Sequence, residues 1–254
     1  MAQYDAIAEL YDGCPGDYED DILFFAEEAK AAGSPVLEIG VGTGRLALCL
    51  AELGLDVVGV DNSPAMLRAL RRKQGRQALP GRVWTVAADM REFALGREFP
   101  LVIVPFRTFL CLVTREDQER ALRAIHPHVA RDGRLILAFF VPPCEIIALG
   151  RTPEQEAAHF PAPEGEGEVV ARGWTEFEEE RQLFTQHVQY EWRDERDGYV
   201  RTLQHQMTAR YIFPEEVPPL LETCGYRAAA AYGDFDRRPL DDGAFEQIWV
   251  AERR

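Results

Sequence analysis

The sequence predicts an α/β fold built on a mainly parallel sheet, with an antiparallel β appendage late in the chain. Three observations carry this prediction. Residues 35–140 alternate short β-like runs with helical ones, the order that a parallel sheet with crossover helices requires. A turn holding Gly40, Gly42 and Gly44 joins the first β run of that series to its first helical run. In residues 169–212 the pattern changes to alternation with a period of two, as in a half-buried antiparallel strand.

The elements follow in order. A helical turn near residues 5–11 precedes an amphipathic helix over residues 17–32, with Ile22, Phe25 and Ala29 at helical spacing. Both are placed to fold over the top of the sheet. The run PVLEI leads through the glycine turn into RLALCLAEL, with Gly54 just past its end. DVVGV is followed by PAMLRALRRK, to which Ser63-Pro64 offers an N-cap and a first-turn proline. RVWTVAA, LVIVPF and RLILAFF read as further strands, and Thr114-x-x-Asp117 resembles a capping box opening the helix between the last two. Residues 142–168 contain five prolines, three glycines and six glutamates, so a long loop or mobile connection is expected, which can also act as a lid. Beyond it, Phe184, Val188, Tyr190 and Trp192 share one strand face against Thr185, His187, Gln189 and Glu191, with a turn at Asp197-Gly198. A helix near Pro214 and the runs YRAAAAYGDF and FEQIWVAE close the chain and are expected to complete the main sheet. Three regions result: 1–141, the N-terminal helices and most of the main domain; 142–212, the acidic loop and antiparallel roof; and 213–254, the last helix and strands.

Composition narrows the function classes. The 254 residues are 46% apolar and 28% charged, an ordinary globular balance with ample material for a core. The longest apolar run, residues 135–141, is far short of the ~18 residues that span a bilayer, and no secretion signal is visible. Five cysteines without a C-x-x-C pair suggest neither a disulfide framework nor a zinc site, and a cytoplasmic setting is expected. A net charge of −15 disfavours nucleic-acid partners, and the basic stretch Arg68, Arg71, Arg72, Lys73 and Arg76 reads as a solvated helix face.

The segment Leu37-Glu38-Ile39-Gly40-Val41-Gly42-Thr43-Gly44-Arg45 carries the chemistry. Its glycines permit a tight strand-to-helix turn and a close approach of backbone N–H groups to a ligand. A dinucleotide fingerprint would need glycine at position 45, where Arg45 stands, and no Gly-Lys-Ser/Thr follows to make a phosphate loop. Asp61 ends the second strand, 21 positions after Gly40, where a carboxylate can accept ribose hydroxyls. Asp89-Met90 follows the third.

With Glu38, Gly40, Gly42 and Gly44 in the pattern acidic-x-G-x-G-x-G, and these carboxylates at matching intervals, the sequence resembles the class I S-adenosylmethionine-dependent methyltransferases. The resemblance implies a Rossmann-like seven-stranded methyltransferase sheet of order 3-2-1-4-5-7-6, last strand antiparallel, with an inserted antiparallel β appendage. It also implies S-adenosyl-L-methionine as cofactor, held by Glu38, Gly40, Gly42, Gly44, Asp61, Asn62, Met66, Asp89, Met90 and Phe106. Tyr11-Asp12, Asp17-Tyr18, Pro105-Phe106-Arg107 and Arg210-Tyr211 look closest to bacterial small-molecule methyltransferases, including sugar N-methyltransferases. Many of those carry Gln-His shortly after Pro-Phe-Arg, where this chain has Leu110-Cys111, leaving any base role there vacant or reassigned.

Methyl transfer from a sulfonium relies on orientation and exclusion of water, and needs a base only if the nucleophile must lose a proton. Tyr11 and Tyr18 can close over the cofactor or simply pack their helix on the sheet edge. Arg107 can bind a substrate anion or pair with an acidic neighbour. His205 shares a face with Leu203, Met207 and Tyr211 and is the leading candidate base; the alternative is a satisfied core histidine. The candidate catalytic set is therefore Tyr11, Arg107 and His205. Trp174, Tyr190 and Trp192 can shape an acceptor pocket or serve as sheet core. The segment Val104-Pro105-Phe106-Arg107 lacks the Asn/Asp-Pro-Pro-aromatic signature of nucleobase methylation, and no ligand cluster suggests a metal. The expected acceptor is a nitrogen or oxygen of a small metabolite, with no membrane partner and a homodimer left open. The rival readings are a macromolecule methyltransferase and a cofactor-binding protein without transfer activity.

Overall fold

The computed structural model describes residues 3–13, 19–163, 167–193, 200–241 and 243–254. After two short 3-10 turns, Asp5–Ile7 and Tyr11–Gly13, the chain forms α1 (Glu19–Ala32), β1 (Val36–Ile39), α2 (Arg45–Glu52), β2 (Val57–Asp61), α3 (Pro64–Gln74) and β3 (Val83–Ala87). It continues with β4 (Phe99–Val104), α4 (Arg115–Ile125), β5 (Val129–Phe140) and the single turn α5 (Cys144–Ile147). A second sheet follows: β6 (Gln155–Pro161), β7 (Glu168–Glu178), β8 (Leu183–Arg193) and β9 (Val200–Arg210). Then α6 (Val217–Thr223), β10 (Tyr226–Tyr232) and β11 (Glu246–Arg253) return to the first sheet.

The seven-stranded sheet has the order β10-β11-β5-β4-β1-β2-β3, and β11 alone runs antiparallel to its neighbours. Numbered within that sheet, this is the 3-2-1-4-5-7-6 order expected from the resemblance. Its central strands are apolar on both faces because helices cover both. Val36 and Val57 pack with Phe25, Leu46, Leu50 and Leu67 on one side. Leu37 and Ile39 pack with Leu122, Ile125, Leu220 and Tyr226 on the other. The caps read from the sequence are in place: Ser63 Oγ accepts from Met66 N at 3.1 Å, and Thr114 Oγ1 accepts from Asp117 N at 3.1 Å. Thr114→Ala should cost about 1 kcal/mol, read from the urea midpoint at unchanged m-value.

Two expectations need correction. Residues 142–168 are not a structureless connection, because α5 and β6 lie within them, and β6 is an edge strand of the four-stranded sheet β6-β7-β8-β9. Ala158 and Phe160 alternate inward and join Ile7, Leu10, Val169 and Tyr190 in a small core of their own. Proline and glutamate content hid that two-residue period. Trp174 does not face a pocket; it stacks on the cross-strand His187 at 4.9 Å, away from the face that carries Val188 and Tyr190. The turn proposed at Asp197-Gly198 lies outside the described residues.

Chain order reverses between β1 and β4, which are parallel neighbours. A cleft beyond the carboxyl ends of strands at such a reversal is where open α/β sheets bind ligands. The glycine turn after β1 and Pro105-Phe106-Arg107 after β4 both open into it.

Candidate active site

The two loops at the reversal are packed against each other. Gly40 has φ +74°, and a Cβ built there would lie 2.2 Å from Thr108 Cγ2, so only glycine lets the post-β1 turn pass beside the post-β4 turn. Gly44 also has positive φ, +84°, and precedes the first residue of α2; its Cβ would meet Leu70 Cγ at 2.6 Å. Gly42 differs, since a Cβ there would meet only Gly40 O, at 4.0 Å. Its open side faces a cavity. Across the cleft, Phe106 and Arg107 both take left-handed backbone angles, φ 51° and 68°. Two successive non-glycine residues in that region store strain, of the kind that clusters at ligand clamps.

That cavity encloses about 710 Å³ of empty space, its open mouth included. Its walls include eight residues anticipated from the sequence: Gly40, Gly42, Asp61, Asn62, Met66, Met90, Phe106 and Tyr11. Asp61 is held at the end of β2 by two backbone donors, Gly42 N to Oδ2 at 2.8 Å and Ser63 N to Oδ1 at 2.8 Å. Burial pushes its pKa up and these donors pull it back. Gln3, Tyr4, Thr108 and Cys111 complete parts of the wall and were not anticipated. No sequence pattern marks Tyr4 or Cys111, 107 positions apart, although the Tyr4 hydroxyl and the Cys111 thiol lie 3.9 Å from each other.

Three expected cofactor residues are placed differently. Gly44 does not border the cavity; it works as the turn into α2. The Asp89 carboxylate is clasped by Arg91, whose Nη2 donates to Oδ2 at 2.6 Å while Nη1 donates to Asp117 at 2.9 Å. Ala88 and Met90, on either side of Asp89, border the cavity instead. Tyr18 lies outside the described residues.

Glu38 occupies a smaller space beside the main one, shared with Tyr11, Gly40, Gly42 and Arg45. It is 2% exposed, and its Oε2 has no hydrogen-bond partner. Burial raises its pKa from 4.5 to about 8, against the attraction of Arg45 and with the help of Asp21. Arg45 is itself held by the buried Asp21 through two hydrogen bonds, at 2.7 and 2.5 Å, and lies over the Phe106 ring at 4.9 Å. A carboxyl whose folded pKa is raised binds more protons in the folded than in the unfolded state. Stability from this group is complete below about pH 4.5 and is lost as pH rises through about 8. Glu38→Gln should therefore flatten the decline in ligand-free stability between pH 5 and 8, a window set by, as thermal melts across that range would record.

The N-terminal segment roofs these spaces by polar ties. Asp5 Oδ1 accepts from Ser63 Oγ at 2.6 Å, and Asp12 accepts from Thr43 Oγ1 at 2.5 Å and from Lys73 at 2.8 Å. Gln3 Oε1 accepts from Thr208 N of β9 at 3.1 Å, which links the segment to the four-stranded sheet.

A second cavity, of about 810 Å³, lies under that sheet. It shares Tyr4, Tyr11, Phe106 and Cys111 with the first, so these four residues stand where the two spaces meet. Its other walls come from β8 and β9 and include Phe184, Val188, Tyr190, His205 and Met207. All three residues of the candidate catalytic set border it: Tyr11, Arg107 and His205. Arg107 donates to Glu246 at 3.3 Å and stacks over Phe140 at 4.1 Å. His205 is 8% exposed, its Nε2 has no partner, and burial lowers its pKa, so the ring is neutral at pH 7. Tyr211, expected on the His205 face, lies past the end of β9 and is fully buried in the main core. Trp192 borders a separate outer groove with Arg68, Arg72 and Arg201.

Comparison with known proteins agrees with this arrangement. Residues 36–133 match the family described as the methyltransferase domain. The demethylmenaquinone methyltransferase of Thermus thermophilus is 37% identical over 118 residues, 45% of this chain and 50% of that protein. The dTDP-3-amino-3,6-dideoxy-alpha-D-glucopyranose N,N-dimethyltransferase of Streptomyces fradiae is 30% identical over 138 residues, 52% of each. The chain thus spans about half the length of the curated relatives it matches. The structure of the CcbJ methyltransferase from Streptomyces caelestis superimposes with a TM-score of 0.82 at 27% identity, covering 99% of this chain and 98% of that one. The strand order, the glycine turn tied to a carboxylate 19 positions on, and these matches make the chain a member of the class I S-adenosylmethionine-dependent methyltransferases.

Proposed function

We propose that the chain transfers a methyl group from S-adenosyl-L-methionine to a nitrogen or oxygen of a small metabolite held in the second cavity. The observation that carries this reading is the junction of two cavities at Tyr4, Tyr11, Phe106 and Cys111, one cavity bordered by the glycine turn and Asp61, the other roofed by the antiparallel sheet. Both volumes lie in the range of small-molecule sites, about 300–1,000 Å³.

The residues present suit the cofactor. Gly42 leaves room that a side chain would fill, Asp61 offers carboxylate lone pairs to ribose hydroxyls, and the unpartnered Glu38 Oε2 suits an ammonium. Asn62, Met66, Ala88 and Met90 border the rest of the space. Asp89 is engaged by Arg91, so its part is to shape the loop that presents Met90. S-adenosylmethionine, when bound, supplies a methyl on a sulfonium, an electrophile that needs no further activation. The protein's part is then positional. Tyr4, Tyr11 and the N-terminal segment exclude water from the junction, Phe106 orients, and His205 Nε2 receives a proton where the nucleophile must shed one.

Calorimetric titration with S-adenosylhomocysteine, with NADH as control, tests the cofactor assignment. Turnover of S-adenosylmethionine with a panel of small amines and hydroxyl compounds tests the transfer. Micromolar binding of S-adenosylhomocysteine with none of NADH is expected; the reverse preference would sink the proposal.

A further inference from the structure

Resting on that reading, we infer that the methyl acceptor is a flat aromatic molecule presenting a phenol-like hydroxyl, and that it enters the second cavity uncharged and leaves as an aryl methyl ether.

The argument is one of charge and shape. Among the described residues no carboxylate borders the second cavity. Glu246, the nearest acid to it in the hydrogen-bond network, is turned to Arg107 and borders a different, smaller space. The ionisable groups that do face the cavity are Arg107, His205, Cys111 and the hydroxyls of Tyr4, Tyr11 and Tyr190. Burial pushes Cys111, Tyr4 and Tyr11 up and His205 down, so all four are neutral at pH 7. An aliphatic amine is a cation in water at that pH. It would have to shed its proton to enter, and methylation would regenerate a cation in a space with no counter-charge, a costly burial. A hydroxyl acceptor ends as a neutral ether.

The proton then has one evident destination. His205 Nε2 is unpartnered, buried and neutral, in a wall of the same cavity. The hydroxyl proton passes to this nitrogen. The oxygen's electron pair takes up the methyl, whose former bonding pair returns to sulfur, leaving an ether, a thioether and an imidazolium. An aliphatic alcohol is too weak an acid for imidazole to assist in this way, whereas a phenol ionises near pH ~10. Shape points the same way. Six aromatic rings, those of Tyr4, Tyr11, Phe106, Phe140, Phe184 and Tyr190, border the cavity. Such walls favour a flat aromatic guest.

The test uses the whole chain saturated with S-adenosylhomocysteine, titrated calorimetrically with 4-nitrophenol and, separately, with cyclohexylamine. The phenol should bind at least about tenfold more tightly than the amine. Its visible phenolate band should appear at lower pH when bound than when free, and His205→Gln should remove that shift while the thermal melt stays near wild type. Gln186→Glu supplies the missing carboxylate from an exposed position on β8 in the cavity wall, and should raise amine affinity while lowering that of the phenol. Equal or tighter amine binding by the wild-type chain, with S-adenosylhomocysteine bound, would overturn the acceptor class and leave the methyltransferase reading standing. Failure of S-adenosylhomocysteine to bind would overturn both.

Discussion

Replacing Asp61 by alanine should weaken S-adenosylhomocysteine binding by about 1.5–3 kcal/mol, roughly ten- to a hundredfold, the range for hydrogen bonds to a charged group. Two losses combine. The carboxylate is the acidic group at the end of β2 that borders the first cavity, and its removal takes away the acceptors for ribose hydroxyls. It also frees Gly42 N and Ser63 N, each held at 2.8 Å, and thereby loosens the glycine turn that the ligand must touch. Asp61→Asn separates the two. The amide oxygen can still accept from one backbone donor but offers no charge, so the turn should survive while affinity falls. Calorimetric Kd values for the two variants, with thermal melts alongside, decide the matter. Wild-type affinity in Asp61→Ala would mean that the first cavity does not hold the nucleoside.

A larger effect on the folded state is expected from Gly40→Ala. The left-handed angle at position 40 costs a non-glycine residue about 1–2 kcal/mol. The added Cβ, 2.2 Å from Thr108 Cγ2 and 2.7 Å from Thr108 Oγ1, adds an overpacking term of about 1–3 kcal/mol. The sum, about 2–5 kcal/mol, should appear as a lower urea midpoint together with lost S-adenosylhomocysteine affinity. Adding Thr108→Ala removes the colliding atoms and should recover the overpacking part but not the backbone part. No recovery in the double variant would show that the two turns do not press on each other.

Much of the architecture was legible because it rests on local rules. Period-two and period-3.6 patterns located the strands and helices, and the caps at Ser63 and Thr114 are written in neighbouring residues. The glycine turn with Asp61 was readable for the same reason, since tight turns and strand ends carry their constraints in adjacent positions. The failures share a cause as well. The strand β6 was missed because its inward residues, Ala158 and Phe160, are apolar only at alternate places in a stretch dominated by glutamate and proline. Its partners for burial, Ile7 and Leu10, are some 150 positions away in the chain. Asp89 looked like a free recognition carboxylate until Arg91, two residues on, was seen to fold back onto it.

The sequence by itself determined the class of fold, the position of the cofactor turn and the family, because each depends on residues close together in the chain or on a strict interval along it. Only the tertiary structure decided the reaction chamber. Tyr4, Cys111 and His205 come from an N-terminal turn, a post-β4 turn and an inserted strand, and no spacing rule relates them. They meet because Gln3 ties the N-terminal segment to β9 and because Ile7 and Leu10 bury against the second sheet. A site assembled by packing between distant segments leaves no local pattern, since packing specifies volume and polarity at a point in space and not an order along the chain.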